Sequence, residues 1–500
     1  PATLRGLSME EKVPYVLRII GETTMSIRMR ASLLEVEQSI YTWPQLATAV
    51  AHGGAAAADV TRRICLGQMR QSGRFFVELE TLIPNAAGQK QPAEADTQAP
   101  PLMHNPRPVE NGRASRTAAG AAAMHAHAAR PGHAHASEAP APEMIRRLVA
   151  DAILAPSGGN AQPWRWLWDG AALDLYLDPA HVTPMTDFEG SGATVALGAA
   201  TENLLLSARH HGLAVRLDTF PDAAVPHLAA RFRFSAAPDA DTEPVWRADL
   251  YPLLRLRHTN RRLCARQPLT GDQLAALTDA AQSLPGAGMQ WLCDHAQLRE
   301  CGELIGAGDR LRLLSQALHA ELQSELRWTP EEEQATHDGI GVGTLELAAS
   351  DLAGLRMCRD WPTLELVRQW GGGRNLEKMS RKAVDAAAAV GLLTMPAARA
   401  VDYFHGGRVV ERLWLTAMEQ GLAFHPMTTL PYLFARLLRG GGAGLDGQTQ
   451  IELRELRRRY EQLFRLAGSE AEVMLFRVSL ADETQARSLR RPLEETLTFA

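Results

Sequence analysis

Apolar positions along this chain fall into a few clear patterns. From Met144 to Leu154 they recur at Ile145, Leu148, Val149, Ala152 and Ile153, the spacing of one helix face. Soon after comes Trp164-Arg165-Trp166-Leu167-Trp168, an aromatic run that predicts a strand. Ala193 to Gly212 is expected to be an amphipathic helix, with Gly212 supplying the left-handed residue at its end. His210 and His211 then sit at a helix C-terminus and complement its dipole. Met474 to Val478 is expected to be a late strand.

Nearer the start, Leu17, Ile20, Leu33, Leu34 and Val36 predict two short helices, and Leu46 to Val50 a third that Gly53-Gly54 breaks. Trp43-Pro44 marks a turn or helix start, and Arg74 to Leu79 a strand. Such a unit, residues 1–84, has a core that would be marginal alone. Residues 85–142 contain no Phe, Trp, Tyr or Ile and are dense in Ala, Pro, Gly and His. They form a linker that is expected to be disordered, since it offers little apolar surface to offset ordering entropy. Its His125, His127, His133 and His135 have a spacing compatible with a metal ion, but low-complexity sequence accounts for them better, and no metal site is assigned.

A repeat runs through the remainder. Glu202 to Ala214 and Glu411 to Ala423 agree at one fixed offset in Glu, Leu, Leu, Ser/Thr, Ala, Gly, Leu and Ala. Leu277 to Leu292 echoes Val149 to Leu167 more faintly. The chain is therefore expected to hold two related halves, 143–235 and 236–500.

Composition narrows the function. With 52 basic and 57 acidic residues the formal net charge is −5, so no global charge recruits nucleic acid or an anionic membrane. The 5 cysteines lack any C-x-x-C pair, which argues for a reducing compartment. The longest apolar run, Ala386 to Ala398, is too short and too broken to span a bilayer, and the start lacks the pattern of a signal peptide. A cytoplasmic protein is expected. The first residue is Pro1 rather than Met, as in a processed product or a piece of something longer.

Two stretches carry candidate chemistry. Ala155-Pro156-Ser157-Gly158-Gly159-Asn160-Ala161-Gln162-Pro163-Trp164 joins the predicted helix to the aromatic strand. Its small residues expose backbone N–H groups, and Asn160 and Gln162 each offer donors and an acceptor. Arg255-Leu256-Arg257-His258-Thr259-Asn260-Arg261-Arg262 alternates arginine forks around a threonine hydroxyl, which suits phosphate oxygens. Taken alone, a glycine turn explains the first stretch about as well, and a solvated basic turn explains the second better.

The decapeptide resembles the A-P-S-x-x-N-x-Q-P-W signature of FMN-dependent nitroreductases, and Arg257, Thr259 and Arg261 resemble that family's R-x-S-x-R/K phosphate motif, with threonine for serine. Gly421 to Thr428 resembles the segment that lies against the flavin ring, and Arg487 to Glu494 the C-terminal arm whose basic residue meets the phosphate, Arg490 being favoured over Arg491. The resemblance implies an α+β nitroreductase fold of central antiparallel sheets flanked by helices. Here it is duplicated in one chain, as in the Acg-like subgroup, giving a fused pseudo-dimer with one complete FMN site. It implies contacts to FMN from Ser157, Gly158, Gly159, Asn160, Gln162, Arg257, Thr259, Arg261, Pro426, Met427, Thr428 and Arg490.

On the same basis NAD(P)H is the electron donor, a small organic molecule the acceptor, and no side chain is a general acid or base. Residues of about 307–400, with glycines at 339–343 and 371–373, are expected to form a helical lid. An alternative is a lidded flavin-binding protein with little turnover. Glu11 to Arg18 and Ser39 to Leu46 are similar to the C-terminal part of an E1-like (ThiF-like) adenylyltransferase, so residues 1–84 would be a small α/β remnant. Without an ATP-binding glycine loop there, that remnant is expected to dock an E1-like partner or a second copy.

Overall fold

The structure, a computed structural model, describes residues 6–21, 25–36, 38–40, 47–73 and 139–500. The expected turn at Trp43-Pro44, the strand at Arg74 to Leu79 and the linker histidines lie outside them.

Helix α1 (Met9–Ile20) opens with a capping box in which Ser8 and Glu11 satisfy each other's backbone N–H. After α2 (Ile27–Leu34), the third helix α3 (Ala47–Cys65) runs straight through Gly53 and Gly54. The break expected there does not form, because the surrounding alanines are strong enough helix formers to carry two glycines. The first half of the main body consists of α4 (Pro142–Ala152), β1 (Trp164–Trp168), β2 (Leu173–Leu177), α5 (Ser191–His210), β3 (Ala214–Thr219) and β4 (Leu228–Ser235). The second opens with α6 (Gly271–Ala281), β5 (Gly288–Leu292) and α7 (His295–Leu314).

A long excursion follows: α8 (Gln316–Glu325), β6 (Leu326–Arg327), α9 (Pro330–Thr336), β7 (Ile340–Gly341), α10 (Ala349–Met357), α11 (Trp361–Gln369) and α12 (Lys378–Asp385). The chain then resumes with β8 (Ala389–Met395), α13 (Ala400–Glu419), β9 (Ala423–Pro426), α14 (Thr429–Arg439), α15 (Gly447–Phe464) and β10 (Ala471–Ser479). It ends with α16 (Leu493–Thr496) and β11 (Leu497–Phe499). Among the described residues no helix is long and apolar enough to cross a membrane, and the five cysteines are unpaired.

Of the two larger sheets one has the order β11-β1-β2-β4-β3 and the other β5-β8-β10-β9, while β6 and β7 pair separately. Leaving aside β11, the strands of each half follow the same order. All pairings in these two sheets are antiparallel except β11, which runs parallel to β1 with Trp166 opposite Leu497. The end of the second half is thereby stitched into the sheet of the first. Trp164, Trp166 and Trp168 point into the core at every second position, as a strand's pleat requires.

Between the sheets lie α5 and α13. The amphipathic helix expected at Ala193 to Gly212 is instead buried on all sides: every residue from Ser191 to Ala208 is inside. Its polar side chains are bonded to protein rather than to water, Glu202 to Arg408 and Arg412 of α13, Ser207 to Asp151, and Thr194 and Thr201 to carbonyls one turn back, so a pattern that predicts one wet face misjudges it. The two helices touch backbone to backbone. A Cβ on Gly198 would lie 1.9 Å from the Phe404 carbonyl oxygen, and one on Gly407 would lie 2.0 Å from the Val195 carbonyl oxygen. The offset that carries Glu202 onto Glu411 also carries Gly198 onto Gly407 and Val195 onto Phe404. The contact is thus reciprocal, as between the halves of a two-fold dimer.

The N-terminal helices do not stand alone. Leu17, Met25, Ala31, Leu33, Leu34 and Val36 share one core with Leu314, Ala353, Met357, Cys358, Leu364 and Val367. Glu35 accepts a bond from the Gly373 N–H at 2.6 Å, and the Asn375 amide donates to Leu34 O and Val36 O. The marginal core expected of this unit is completed by α10 and α11.

Candidate functional site

The loop after α4 is strained and held from several sides. Gly159, Asn160 and Gln162 all have positive φ, at 58°, 53° and 55°. Glycine and asparagine tolerate this conformation; glutamine does so at a cost. The C-terminal arm holds the loop. The Asn160 amide donates to Leu489 O at 3.1 Å, and its oxygen accepts from Arg490 at 3.0 Å. Arg490 also donates to the carbonyls of Ile153, Leu154 and Ala155, at 2.8, 3.0 and 3.1 Å. Pairing of β11 with β1 is what brings the arm there.

Loop, arm and the arginine stretch open onto one cavity of about 800 Å³. Ser157, Gly158, Gly159, Asn160, Arg257, Thr259, Arg261, Pro426, Met427, Thr428 and Arg490 all line it. Gln162 does not. It is fully buried behind the wall, where its amide donates to His337 O at 2.8 Å and accepts from the Arg491 N–H at 2.8 Å. The expected direct contact to a ligand is therefore replaced by a scaffolding role, because both ends of the amide are already bonded to protein.

The cationic end of the cavity has more positive than negative charge. Arg257 is buried over the Trp414 ring at 4.7 Å and donates to Leu154 O at 2.6 Å. Its Nε lies 3.3 Å from Glu411 but makes no hydrogen bond. Arg261 donates to Thr344 O at 3.2 Å. Burial pushes the Arg261 and Arg477 guanidiniums down to about 10, and burial with the neighbouring Arg257 pushes Arg490 down to about 9. Burial also holds His425 well below the usual histidine range, hence neutral. Among the described residues the carboxylate buried beside Arg257 and Arg490 is Glu411, which burial raises to about 7. Glu346 also lines the cavity and pairs with Arg262 at 2.9 Å, so Arg257, Arg261 and Arg490 share the two carboxylates Glu346 and Glu411 as their near countercharge.

The opposite walls were not visible from the motifs. Glu325 accepts two bonds from Arg312, at 2.9 and 3.0 Å, and packs so tightly on Gly159 that a Cβ there would come within 3.1 Å. Asp187 caps α5, accepting from Gly192 N and Ala193 N at 2.6 and 2.8 Å, and burial raises it to about 6. Asp309, bonded by Ser380, is likewise raised by burial. Arg312 at the end of α7 reaches the cavity, and Glu325, Thr344, Met379 and Ser380 reach it from the excursion, which supplies one wall. Only the acidic Asp187 just before α5 left a signal in the sequence, that of a helix cap. Among the described residues no cluster of His, Cys, Asp or Glu is arranged to hold a metal ion.

No protein-family model matches the chain. It is 29% identical over 492 residues to the uncharacterized protein MT1398 of Mycobacterium tuberculosis, covering 98% of this chain and 62% of that protein. It is 27% identical over 224 residues to the putative NAD(P)H nitroreductase acg of the same organism, covering 44% of this chain and 64% of that one. The chain resembles putative nitroreductases. It spans less than two thirds of the length of these relatives. Among solved structures, the FMN-dependent nitroreductase NfnB from Mycobacterium smegmatis in complex with NADPH aligns over 51% of this chain and 99% of its own, with 16% identity and a TM-score of 0.30.

Proposed function

We propose that the chain binds one FMN in this cavity and is an oxidoreductase that moves a hydride equivalent from NAD(P)H to a small organic acceptor. The observation that carries the reading is the surplus of buried arginine charge beside a glycine-rich loop. Arg257, Arg261 and Arg490 would hold the phosphate, with Thr259 beside them; Ser157 to Asn160 would follow the ribityl chain. Trp414, Val195 and Met427 offer an apolar surface to the ring, next to Pro426 and Thr428. The flavin supplies the redox chemistry when bound, and the protein binds, orients and excludes water. Similarity to the putative NAD(P)H nitroreductase acg supports the nicotinamide donor.

The reading includes duplication. Matching sheet orders, the reciprocal glycine contacts and the pairing of β11 with β1 support two nitroreductase-like halves fused in one chain. The alternative of a lidded flavin protein with little turnover is favoured by the wall built from 307–400, which packs Glu325 against Gly159. The visible spectrum of the purified protein under anaerobic NADPH or NADH separates the two. A yellow protein that bleaches supports the oxidoreductase; one that stays yellow supports the lidded binder; a colourless protein that takes up no added FMN removes both.

A further inference from the structure

Glu411 lies one layer behind the cavity wall, on α13. It is fully buried, and its Oε2 has no hydrogen-bond partner among the described residues. Its Oε1 is 3.3 Å from Arg257 Nε and 2.9 Å from the Asn203 amide nitrogen when that amide faces it. The groups that face Glu411 come from each neighbouring element: Arg257 from the arginine stretch, Arg490 from the C-terminal arm, and Glu202 and Asn203 from α5. Arg408 and Arg412, on its own helix, turn to Glu202 instead.

Glu411 thus competes with any anion in the cavity for the same two arginines. Once a phosphate draws on Arg257 and Arg490, the carboxylate loses most of its compensation. A buried carboxylate left in that position becomes neutral by taking a proton. We propose that Glu411 is a positioning residue that takes up a proton when a phosphorylated ligand occupies the arginine cluster, releasing Arg257 to the ligand. This rests on the reading that the cluster holds the phosphate of FMN.

Before binding, burial already places Glu411 at about 7, so binding near neutral pH has a proton to gain. The phosphate is largely dianionic by then, its second ionisation lying near 6. Linkage then requires affinity to weaken as pH rises from 7 to 8, by roughly fivefold for one proton. Both pH values lie below the position to which Arg490 is pushed.

The test uses the full chain and FMN. Calorimetric titration at pH 7.5 in two buffers of different ionisation heat counts the protons exchanged, and titrations at pH 7 and 8 give the slope. The expected result is net uptake approaching one proton per FMN, roughly fivefold weaker binding at pH 8, and loss of both in Glu411→Gln but not in Glu411→Asp. Should Glu411→Gln not fold, infrared difference spectra decide. A protonated-carboxyl band must appear on FMN binding to the wild type and move in Glu411→Asp. FMN binding without proton uptake, or uptake retained in Glu411→Gln, overturns the role of Glu411 and leaves the flavin site standing. No FMN binding at either pH overturns both.

Discussion

Glu202 and Glu411 occupy matched places on the paired central helices, and both are fully buried. Their surroundings differ. Glu202 receives Arg408 at 2.9 Å and Arg412 at 2.8 Å, and Arg408 is balanced in turn by Glu243 at 2.9 Å. Arg412 lies against Trp246 at 5.6 Å and donates to Ser283 O at 3.2 Å. On the other side, Arg257 lies over Trp414 and reaches Leu154 O, but it comes from a separate stretch of chain and leaves Glu411 poorly bonded. The arginine, the tryptophan and the carbonyl have counterparts in both places. In the first the charges balance inside the protein, and none of Glu202, Arg408, Arg412, Trp246 or Ser283 lines the cavity. In the second they do not balance, and the cavity is there. On the proposed duplication, one place is filled by the protein's own ion pairs, while the charge at the other is left for a ligand to meet.

The contrast can be broken most strongly from its cationic side. Arg257→Ala with Arg261→Ala should weaken FMN binding by roughly a thousandfold, since two charge-assisted contacts are lost. Arg412→Ala should leave FMN affinity within about twofold yet cost roughly 3–5 kcal/mol of stability, because Glu202 is left buried without a partner for one oxygen. Flavin titration and urea unfolding on both variants read these effects separately. A loss of flavin from Arg412→Ala would mean that the two places are not independent.

The carboxylates themselves give the next effect. Burial raises Glu411, so its charged form is unfavourable in the fold, and stability falls as pH rises from about 4.5 through about 7. Arg408 and Arg412 outweigh the burial of Glu202 and hold it below its ordinary value. Its contribution is present above about 4.5 and is lost as pH falls below that. At pH 8, Glu202→Gln should cost about 3–5 kcal/mol, while Glu411→Gln should be neutral or stabilising by roughly 1–3 kcal/mol. Denaturant unfolding of the two variants at pH 8 checks the opposite signs.

Smaller effects sharpen the symmetry. Gly198→Ala and Gly407→Ala each drive a Cβ into a carbonyl oxygen of the facing helix, and each should cost roughly 1–3 kcal/mol. Unequal costs measured by thermal unfolding would argue against matched helix contacts. Gln162→Ala should cost about 1–2 kcal/mol and speed flavin release by stopped flow, since the loop loses its bonds to His337 and Arg491.

The parts of this arrangement legible in the sequence are those carried by local spacing. The helix–loop–strand at 144–168, the arginine alternation at 257–261 and the repeat around Glu202 and Glu411 are each contained in a short stretch. What escaped depends on contacts between distant segments. Whether α5 has one wet face or none is decided by α13, more than 200 residues away in the chain. Gln162 sits in the motif but is claimed by His337 and Arg491, so its type suggested a ligand contact that its partners exclude. Glu325 reaches the cavity from an excursion whose own pattern says only that it is helical, and Asp309 from the last turns of α7. The N-terminal helices carry too few apolar residues for a core, and nothing local showed that α10 and α11 complete it.

The central claim is that one of two matched places holds a flavin and the other is filled by protein. Flavin stoichiometry tests it most directly. The full chain is saturated with FMN, freed of excess, denatured, and the released flavin is measured by absorbance against protein concentration. The account predicts one FMN per chain; two per chain would mean that the Glu202 side is not closed, and none would mean that the arginine cluster is not a flavin phosphate site.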